Sequence, residues 1–329
     1  MSVLEQYAAA HRAAGLSDLG ERGRIVMRGA DRKTFLHALV TNDIALLGPG
    51  TGCYAALLTP QGRIVADMNV FELGDVMLID VRREVKDLLL RRFDQLIFSE
   101  DVQLGDVSDA WGCLGLYGPQ AAAITGGVLG ADAAAFKPFQ NARLLYKGEL
   151  VITARRDGLG LRGILLFTAA PQIPALAQAL LAAGAEPLSA EAAGVLRLEA
   201  GEPAFLAELT DDVIPLEADL EATAVSFSKG CFPGQEVLVR IRDRGHGRIA
   251  RKLVGMTIDG DSVPVAGSRV RAGDKDVGHV TSAVMSIALG QPIALGYVQR
   301  DFAMPGAAVT IVHGDSPLNA TVTELPFVR

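Results

Sequence analysis

Three early segments of the chain consist mainly of apolar residues and are separated by short stretches of glycine, proline and polar residues. Residues 53–58, 63–73 and 76–81 are rich in apolar and β-branched residues, and Pro60-Gln61-Gly62 and Gly74-Asp75 separate them. Runs of this kind are typical of strands, and short connections containing glycine are typical of hairpin turns. The pattern therefore predicts an antiparallel meander.

Apolar residues return at helical spacing on both sides of this meander. They recur every three or four positions in 31–39 and again in 82–98, as they do along one face of an amphipathic helix. The early chain is therefore predicted to combine the meander with two flanking helices.

The middle of the chain has a different order of predicted helices and strands from the early segments. Its periodicity predicts a strand, a helix, two strands joined by a tight turn, a further strand and a second helix, at 111–117, 121–129, 143–146, 149–154, 163–168 and 173–183. This order resembles a ferredoxin-like βαββαβ unit. After Arg251 the helical period disappears, and short β segments separated by glycine-rich turns predict a small β-barrel.

These elements predict an α+β protein with an antiparallel meander, ferredoxin-like αβ modules and a C-terminal small β-barrel. We expect two domains, at 1–247 and 248–329, with two interleaved αβ modules in the first. Gly245-His246-Gly247 is the expected hinge between them.

Composition limits the classes to which the protein can belong. A chain of 329 residues exceeds the length that usually folds around a single hydrophobic core, so two or three packed modules are expected. Half of the residues are hydrophobic, but no run of about 18 uncharged apolar residues predicts a membrane span. No cationic and apolar leader begins the sequence, so a cytoplasmic protein without membrane contact is expected.

Charge and metal-binding residue types add two further expectations. The three cysteines and five histidines have no zinc-ligand spacing, so the protein is expected to hold no stable metal of its own. The net charge of −7 argues against non-specific binding of nucleic acid by the whole surface, although a local basic patch stays compatible with it.

The segment 229–236, Lys-Gly-Cys-Phe-Pro-Gly-Gln-Glu, carries the most distinctive chemistry in the chain. Its glycines and Pro233-Gly234 favour a tight loop around Cys231. If the backbone is extended, Lys229 and Cys231 share a face, and the ammonium favours the reactive thiolate. The alternative is a buried cysteine that only packs.

This octapeptide resembles the signature of the YgfZ-type proteins, a branch of the folate-binding superfamily that includes the glycine-cleavage T-protein, an aminomethyltransferase. The matching stretch of the aminomethyltransferases resembles it in Lys-Gly and the later Gly but usually lacks the cysteine. The resemblance extends over 24–81, 195–236 and 251–313. It implies three modules in a ring around a central channel that accepts tetrahydrofolate.

Asp67 is a third candidate catalytic residue, beside Cys231 and Lys229, and also a candidate cofactor-binding residue. Alternation predicts that it shares a polar strand face with Asn69. The segment before it resembles a superfamily segment that ends in paired aspartates, one of which approaches the folate nitrogen that receives the one-carbon unit. Here the pair is Ala66-Asp67, which counts against transferase chemistry. A solvent-facing carboxylate is the alternative.

Arg197 and Glu199 are candidate cofactor-binding residues. They alternate with apolar neighbours, so a strand is predicted that points the Glu199 carboxylate inward, where it could bind the amino-pyrimidinone edge of a pterin. Arg-Leu-Glu-Ala-Gly resembles the folate-binding segment of the superfamily, and Glu199 matches its pterin-contacting glutamate. A purely structural arrangement of the two side chains is the alternative.

A basic island lies between residues 240 and 252, with six cations against one acid, Asp243: Arg240, Arg242, Arg244, Arg248, Arg251 and Lys252. Such a cluster attracts anions, and the glutamate tail of folate and an RNA phosphate both fit. Arg240 is accordingly a candidate folate contact. A salt-bridged, solvated face is the alternative.

The resemblance implies an accessory protein that binds tetrahydrofolate and supports iron–sulfur cluster assembly or repair in client proteins through Cys231. One alternative is an aminomethyltransferase, a folate-dependent one-carbon transferase acting with a lipoyl carrier protein. The other is a tRNA-binding module that uses the basic island, for example during tRNA modification.

Overall fold

The structure, a computed structural model, describes residues 1–244, 248–314 and 316–328. The expected hinge at Gly245-His246-Gly247 lies outside the described residues. The helices are α1 (Val3–Arg12), α2 (Arg32–Leu39), α3 (Arg83–Asp94), α4 (Ala121–Leu129), α5 (Ile173–Ala182), α6 (Ala190–Glu199), α7 (Glu221–Ala224) and α8 (Gln235–Val239).

The strands form two open sheets and a closed barrel. They are β1 (Gly15–Asp18), β2 (Arg22–Arg28), β3 (Thr51–Leu58), β4 (Ile64–Glu72), β5 (Met77–Arg82), β6 (Gln103–Asp106), β7 (Trp111–Tyr117), β8 (Asn141–Tyr146), β9 (Glu149–Arg155), β10 (Gly163–Ala169), β11 (Glu186–Pro187), β12 (Arg251–Ile258), β13 (Arg269–Ala272), β14 (Lys275–Met285), β15 (Pro292–Gln299), β16 (Ala308–His313) and β17 (Ser316–Thr323).

The first module contains the predicted meander. Its sheet has the order β3-β4-β5-β2-β6, and every neighbouring pair is antiparallel. The flanking helices predicted from apolar spacing are α2 and α3. Helix α3 buries Val85, Leu89 and Phe93, which lie four residues apart on the face toward the sheet. The predicted combination of meander and helices is confirmed.

The second module repeats this arrangement. In both modules a first strand and a helix precede a three-stranded meander, and a second helix then leads to a final strand. The second sheet has the order β11-β1-β7-β10-β9-β8, with β1 inserted between the last strand and the first. Because β1 precedes the first module in sequence, the two modules are interleaved. The ferredoxin-like prediction is confirmed, with one additional meander strand in each module.

The third module is the predicted small barrel. Strands β12-β15-β14-β13-β16-β17 close on themselves, and their inward residues, among them Met256, Val280 and Ile311, form a separate buried cluster. The α+β fold with a C-terminal barrel is therefore confirmed. Within the described residues, no helix has the length and apolar character needed to cross a membrane.

The predicted strand around Arg197 and Glu199 is wrong, because these residues form the end of helix α6. The hydroxyl oxygen of Ser189 accepts a hydrogen bond from the Ala192 amide at 3.3 Å and caps the helix. The helix is rich in alanine and leucine, which have high helix propensity, and it buries Val195 on its inner face. The short alternating pattern is therefore one face of a helix.

Candidate functional site

A cavity of about 700 Å³ lies where the three modules meet. The first module contributes Tyr54, the second Phe139 and Arg156, and the barrel Lys252 and Leu253. The remaining lining residues belong to connecting segments, to the barrel and to the chain end: Ala200, Gly201, Glu202, Pro203, Ala218, Asp219, Leu220, Thr223, Val254, Ala303, Pro305, Thr323, Glu324, Leu325 and Pro326. Cavities of this size hold ligands as large as a cofactor.

Asp67 lies next to this cavity on β4, linked to it through Tyr54. Its Oδ2 accepts a hydrogen bond from the Tyr54 hydroxyl at 2.7 Å. Its Oδ1 is buried and has no hydrogen-bond partner within the described chain. Burying a polar atom without a hydrogen bond costs free energy. A carboxylate oxygen in this state is therefore suited to accept a hydrogen bond from a ligand.

Ala66, the other member of the candidate pair, faces the opposite side of the sheet. It is fully buried in the hydrophobic core of the first module. Strand alternation requires this opposition, because neighbouring side chains point to opposite faces. The carboxylate that the chain retains is therefore the one on the Tyr54 side.

Tyr54 holds Asp67 in place as a hydrogen-bond donor. Burial raises the pKa of Tyr54 well above its usual value, and the nearby Asp67 carboxylate raises it further. The phenol therefore keeps its proton at physiological pH and donates a hydrogen bond to Asp67.

A polar network continues across the same face of the sheet. The Asn69 side-chain amide donates to Asp80 Oδ2 at 2.9 Å, and Asp80 is paired with Arg22. Asn69 Oδ1 in turn accepts from Arg156 Nε at 2.8 Å. The predicted polar face that Asp67 shares with Asn69 is confirmed.

Arg156 is the residue through which the second module reaches this network. Its guanidinium carbon lies 5.5 Å from the centre of the Tyr54 ring and 5.4 Å from that of Phe139. Sequence reasoning missed both Arg156 and Tyr54. Arg156 is 87 positions from its partner Asn69, and no local pattern reports a contact of that separation.

Glu199 lies outside the cavity lining, immediately before Ala200 and Gly201, which do line it. Its carboxylate is buried and accepts from the Tyr7 hydroxyl at 2.6 Å, the Ser286 hydroxyl at 2.6 Å and the Ala288 amide at 2.9 Å. These contacts join helix α1 and the barrel to α6. The pterin contact of Glu199 stays a prediction, and the described contacts of its carboxylate are all to protein.

Arg197 also makes contacts that hold the modules together. Its Nη1 pairs with Glu208 Oε2 at 2.8 Å, and its Nη2 donates to Ser282 on β14. Glu208, in the segment that follows α6, is fully buried and also accepts from the hydroxyls of Thr281 and Ser282 on β14, so it links the ion pair to the barrel. The cofactor contact predicted for Arg197 is not tested by this geometry, which places the side chain outside the cavity lining.

Lys229 and Cys231 lie in different environments. Lys229 is buried, and its ammonium donates to the carbonyl oxygens of His37 and Val40 at the end of α2. Burial lowers the pKa of Lys229 to about 8. Cys231 is exposed to solvent. An effect of the Lys229 ammonium on the thiol stays a prediction.

Three described arginines of the basic island pair with acids. Arg240 pairs with Glu236 at 2.7 Å on the surface, and Arg242 pairs with Asp243 at 2.6 Å. A third member binds two acids, since Arg251 contacts Asp212 and Glu217. Lys252 is the member that lines the cavity. A contact between Arg240 and folate stays a prediction, since Arg240 is absent from the lining.

Two family models match the chain. The GCVT N-terminal domain matches residues 1–229, and the glycine cleavage T-protein C-terminal barrel domain matches residues 251–329. The first match covers the two interleaved αβ modules, and the second covers the barrel. The chain belongs to the glycine cleavage T-protein family.

Curated relatives and a solved structure match this chain over almost its whole length. The chain is 31% identical to an aminomethyltransferase of Rubrobacter xylanophilus, over 99% of this chain and 86% of that protein. It is 32% identical to an aminomethyltransferase of Geobacillus kaustophilus, over 100% of this chain and 91% of that protein. The crystal structure of glycine cleavage system aminomethyltransferase T from Bartonella henselae superposes with a TM-score of 0.90 at 24% identity, covering 99% of this chain and 90% of that one. The likeness to that structure shows the fold.

Proposed function

We propose that the protein binds tetrahydrofolate in the central cavity and transfers a one-carbon unit there, as an aminomethyltransferase. The observation that carries the proposal is the Asp67 carboxylate, whose buried Oδ1 has no partner within the described chain at the edge of the cavity. The names of the relatives favour this reaction over the cluster-assembly role expected from the octapeptide.

The cavity suits tetrahydrofolate in size and in chemistry. Its volume of about 700 Å³ lies within the range of cofactor sites. The rings of Tyr54 and Phe139 supply aromatic surface for a planar pterin. Tetrahydrofolate would supply the secondary amine that takes the one-carbon unit.

Asp67 has the chemistry that this transfer needs. The amine nitrogen that forms a new bond to the aminomethyl carbon displaces a group that held this carbon, as ammonia or as the lipoyl thiol. The nitrogen carries positive charge until it loses a proton, which passes on to the leaving group. The free Oδ1 of Asp67 can stabilise that charge and accept the proton, while Tyr54 fixes the orientation of the carboxylate through Oδ2. The absence of an aspartate at position 66 does not remove this group, because Ala66 lies on the core side of the strand.

A second candidate function is support of iron–sulfur proteins through a thiol. The exposed position of Cys231 favours it, because a thiol that acts on a partner must be accessible. Both candidate functions need folate binding in the cavity, and only the first needs transfer at Asp67.

The test compares wild type with Asp67→Asn, which keeps shape and loses charge. We expect the rate of one-carbon transfer from an aminomethylated lipoyl carrier protein to fall by about 10²–10⁴-fold, since the variant cannot accept a proton. Calorimetry should show a change of less than about threefold in the tetrahydrofolate Kd, equivalent to less than about 1 kcal/mol.

Asp75→Asn is the matched control, because Asp75 is an exposed aspartate of the same module whose partner is Arg143. It should change neither quantity. Full transfer by Asp67→Asn would remove Asp67 from the chemistry. A wild-type protein that binds tetrahydrofolate but transfers nothing would exclude the transferase and leave the thiol-dependent function.

A further inference from the structure

Arg156 brings a positive charge into the cavity without an acidic partner among the described contacts. Two acids close to it in sequence or in the network are paired with other arginines: Asp157 pairs with Arg155 at 2.7 Å, and Asp80 pairs with Arg22 at 2.9 Å. The cavity-lining Glu202 accepts from the amides of Leu159 and Gly160. Arg156 itself binds neutral groups, the amide oxygen of Asn69 and the carbonyl oxygen of Asp157. Its charge is therefore left for a ligand.

The guanidinium is also held rigidly. Nε and Nη1 are bound to Asn69 and Asp157, and the aromatic rings of Tyr54 and Phe139 lie within cation–π distance. Nη2 has no hydrogen-bond partner within the described chain, although the residue lines the cavity. A fixed guanidinium with a free nitrogen loses little conformational entropy when it binds an oxyanion.

Tyr54 connects this cation to the candidate catalytic carboxylate. The Tyr54 hydroxyl donates a hydrogen bond to Asp67, and the Tyr54 ring lies against the Arg156 guanidinium. Tyr54 thus lies between a buried Asp67 oxygen beside the cavity and a cavity-lining Arg156 nitrogen, neither of which has a hydrogen-bond partner within the described residues.

We propose that Arg156 is a carboxylate subsite of the cavity, with Nη2 as the donor to a ligand carboxylate. The inference rests on the proposed function, since it assigns part of the ligand of that same site. A carboxylate can come from two sources there: the glutamate moiety of tetrahydrofolate, or a small amino acid bound beside the folate. Arg binds either through the same planar, charge-assisted hydrogen bonds.

The experiment titrates wild type and Arg156→Gln with three probes: tetrahydrofolate, 6-methyltetrahydropterin, which lacks the glutamate moiety, and glycine with and without tetrahydrofolate. If the folate carboxylate occupies the subsite, the variant should bind tetrahydrofolate about 10- to 100-fold more weakly and the pterin equally well. If an amino acid occupies it, both folate probes should bind normally and glycine binding should be lost.

Arg143→Gln is the matched control, because Arg143 is a surface arginine of the same module that pairs with Asp75. It should leave all titrations unchanged. Arg156→Lys covers the case in which the glutamine variant is unstable. It keeps the charge but not the planar fork, so the affected probe should bind about tenfold more weakly while the pterin is unaffected.

Two results would overturn the proposal. An Arg156→Gln protein that binds all probes like wild type has no carboxylate subsite at this residue. An equal loss of tetrahydrofolate and pterin shows that Arg156 shapes the ring pocket instead. Failure of the wild type to bind either folate probe would contradict the proposed function, and the glycine titration would still test Arg156 separately.

Discussion

Asp67 has an environment that separates it from the other carboxylates of its sheet. The Asp80 side chain is 1% exposed, but it pairs with Arg22 and accepts a hydrogen bond from Asn69. Asp67 has one oxygen bound to Tyr54 and one that is buried without a partner in the described chain. Folding therefore leaves a buried acceptor unpaired beside the cavity, at an energetic cost that a ligand can offset.

Cys231 differs from the other two cysteines in accessibility. Cys113 is fully buried, and burial raises its pKa. Cys53 is half-buried, and burial raises its pKa to about 12. Both thiols therefore stay protonated near neutral pH, whereas Cys231 lies on the surface.

We predict that iodoacetamide at a pH of about 7.5 labels Cys231 first, Cys53 more slowly and Cys113 only after unfolding, because the thiolate is the reactive form and must be accessible. Peptide mass spectrometry over a time course measures the order. Cys231→Ser is the control and should remove the fast phase alone. Labelling of Cys53 as fast as that of Cys231 would contradict the burial described for the strand thiol.

Among the elements, helix α6 joins the parts of the molecule. The carboxylate of Glu199 binds Tyr7 of α1 and the barrel residues Ser286 and Ala288. Its carbonyl oxygen accepts from the amides of 327 and 328 in the C-terminal segment. The neighbouring residues of that segment, 323–326, line the cavity. Glu199 therefore supports the cavity wall.

We predict that Glu199→Ala lowers the free energy of unfolding by on the order of 3 kcal/mol, because the buried hydroxyls of Tyr7 and Ser286 and the part-buried Ala288 amide lose their acceptor. Urea denaturation measures the effect. Glu191→Ala, in the exposed first turn of the same helix, is the matched control and should change stability by less than about 0.5 kcal/mol.

The tetrahydrofolate Kd of the folded Glu199→Ala protein tests the separate prediction of a pterin contact. Weaker binding by about 1–3 kcal/mol with unchanged stability would support the contact and contradict a structural role for the Glu199 carboxylate.

The sequence pattern predicted most elements of the two αβ modules, because the longer strands are mainly apolar runs of six or more residues and glycine occurs in the turns of the predicted meander. It failed at 195–199, where a short run fits both a strand and one face of a helix. Only the packing of Val195 against the core and the cap at Ser189 distinguish the two.

The candidate site was predictable only in part for a similar reason. The polar face of β4 indicated Asp67. Tyr54 and Arg156 come from other parts of the chain. Tyr54 contacts Asp67, and Arg156 contacts Tyr54, only in the folded molecule, where the modules pack together. Lys229 lies close to the thiol in sequence, whereas the folded chain turns its ammonium toward α2.

The cavity is a property of the complete molecule, because three modules and the C-terminal segment meet around it. The described cations of the basic island at Arg240, Arg242 and Arg251 are paired with acids outside its lining. The division into 1–247 and 248–329 stays a prediction, and the contacts of Glu199 and Arg197 cross that proposed boundary. The proposed function requires that tetrahydrofolate occupies this shared cavity.

A calorimetric titration with a blocked cavity tests this occupancy. Thr223 is exposed on the rim of the cavity in helix α7, and Ala222 is exposed beside it but is not part of the lining. We predict that Thr223→Trp weakens tetrahydrofolate binding at least about tenfold, or about 1.4 kcal/mol, by occupying ligand space, while Ala222→Trp binds like wild type. Equal affinity of the two tryptophan variants and the wild type would place the folate elsewhere and contradict the proposed site.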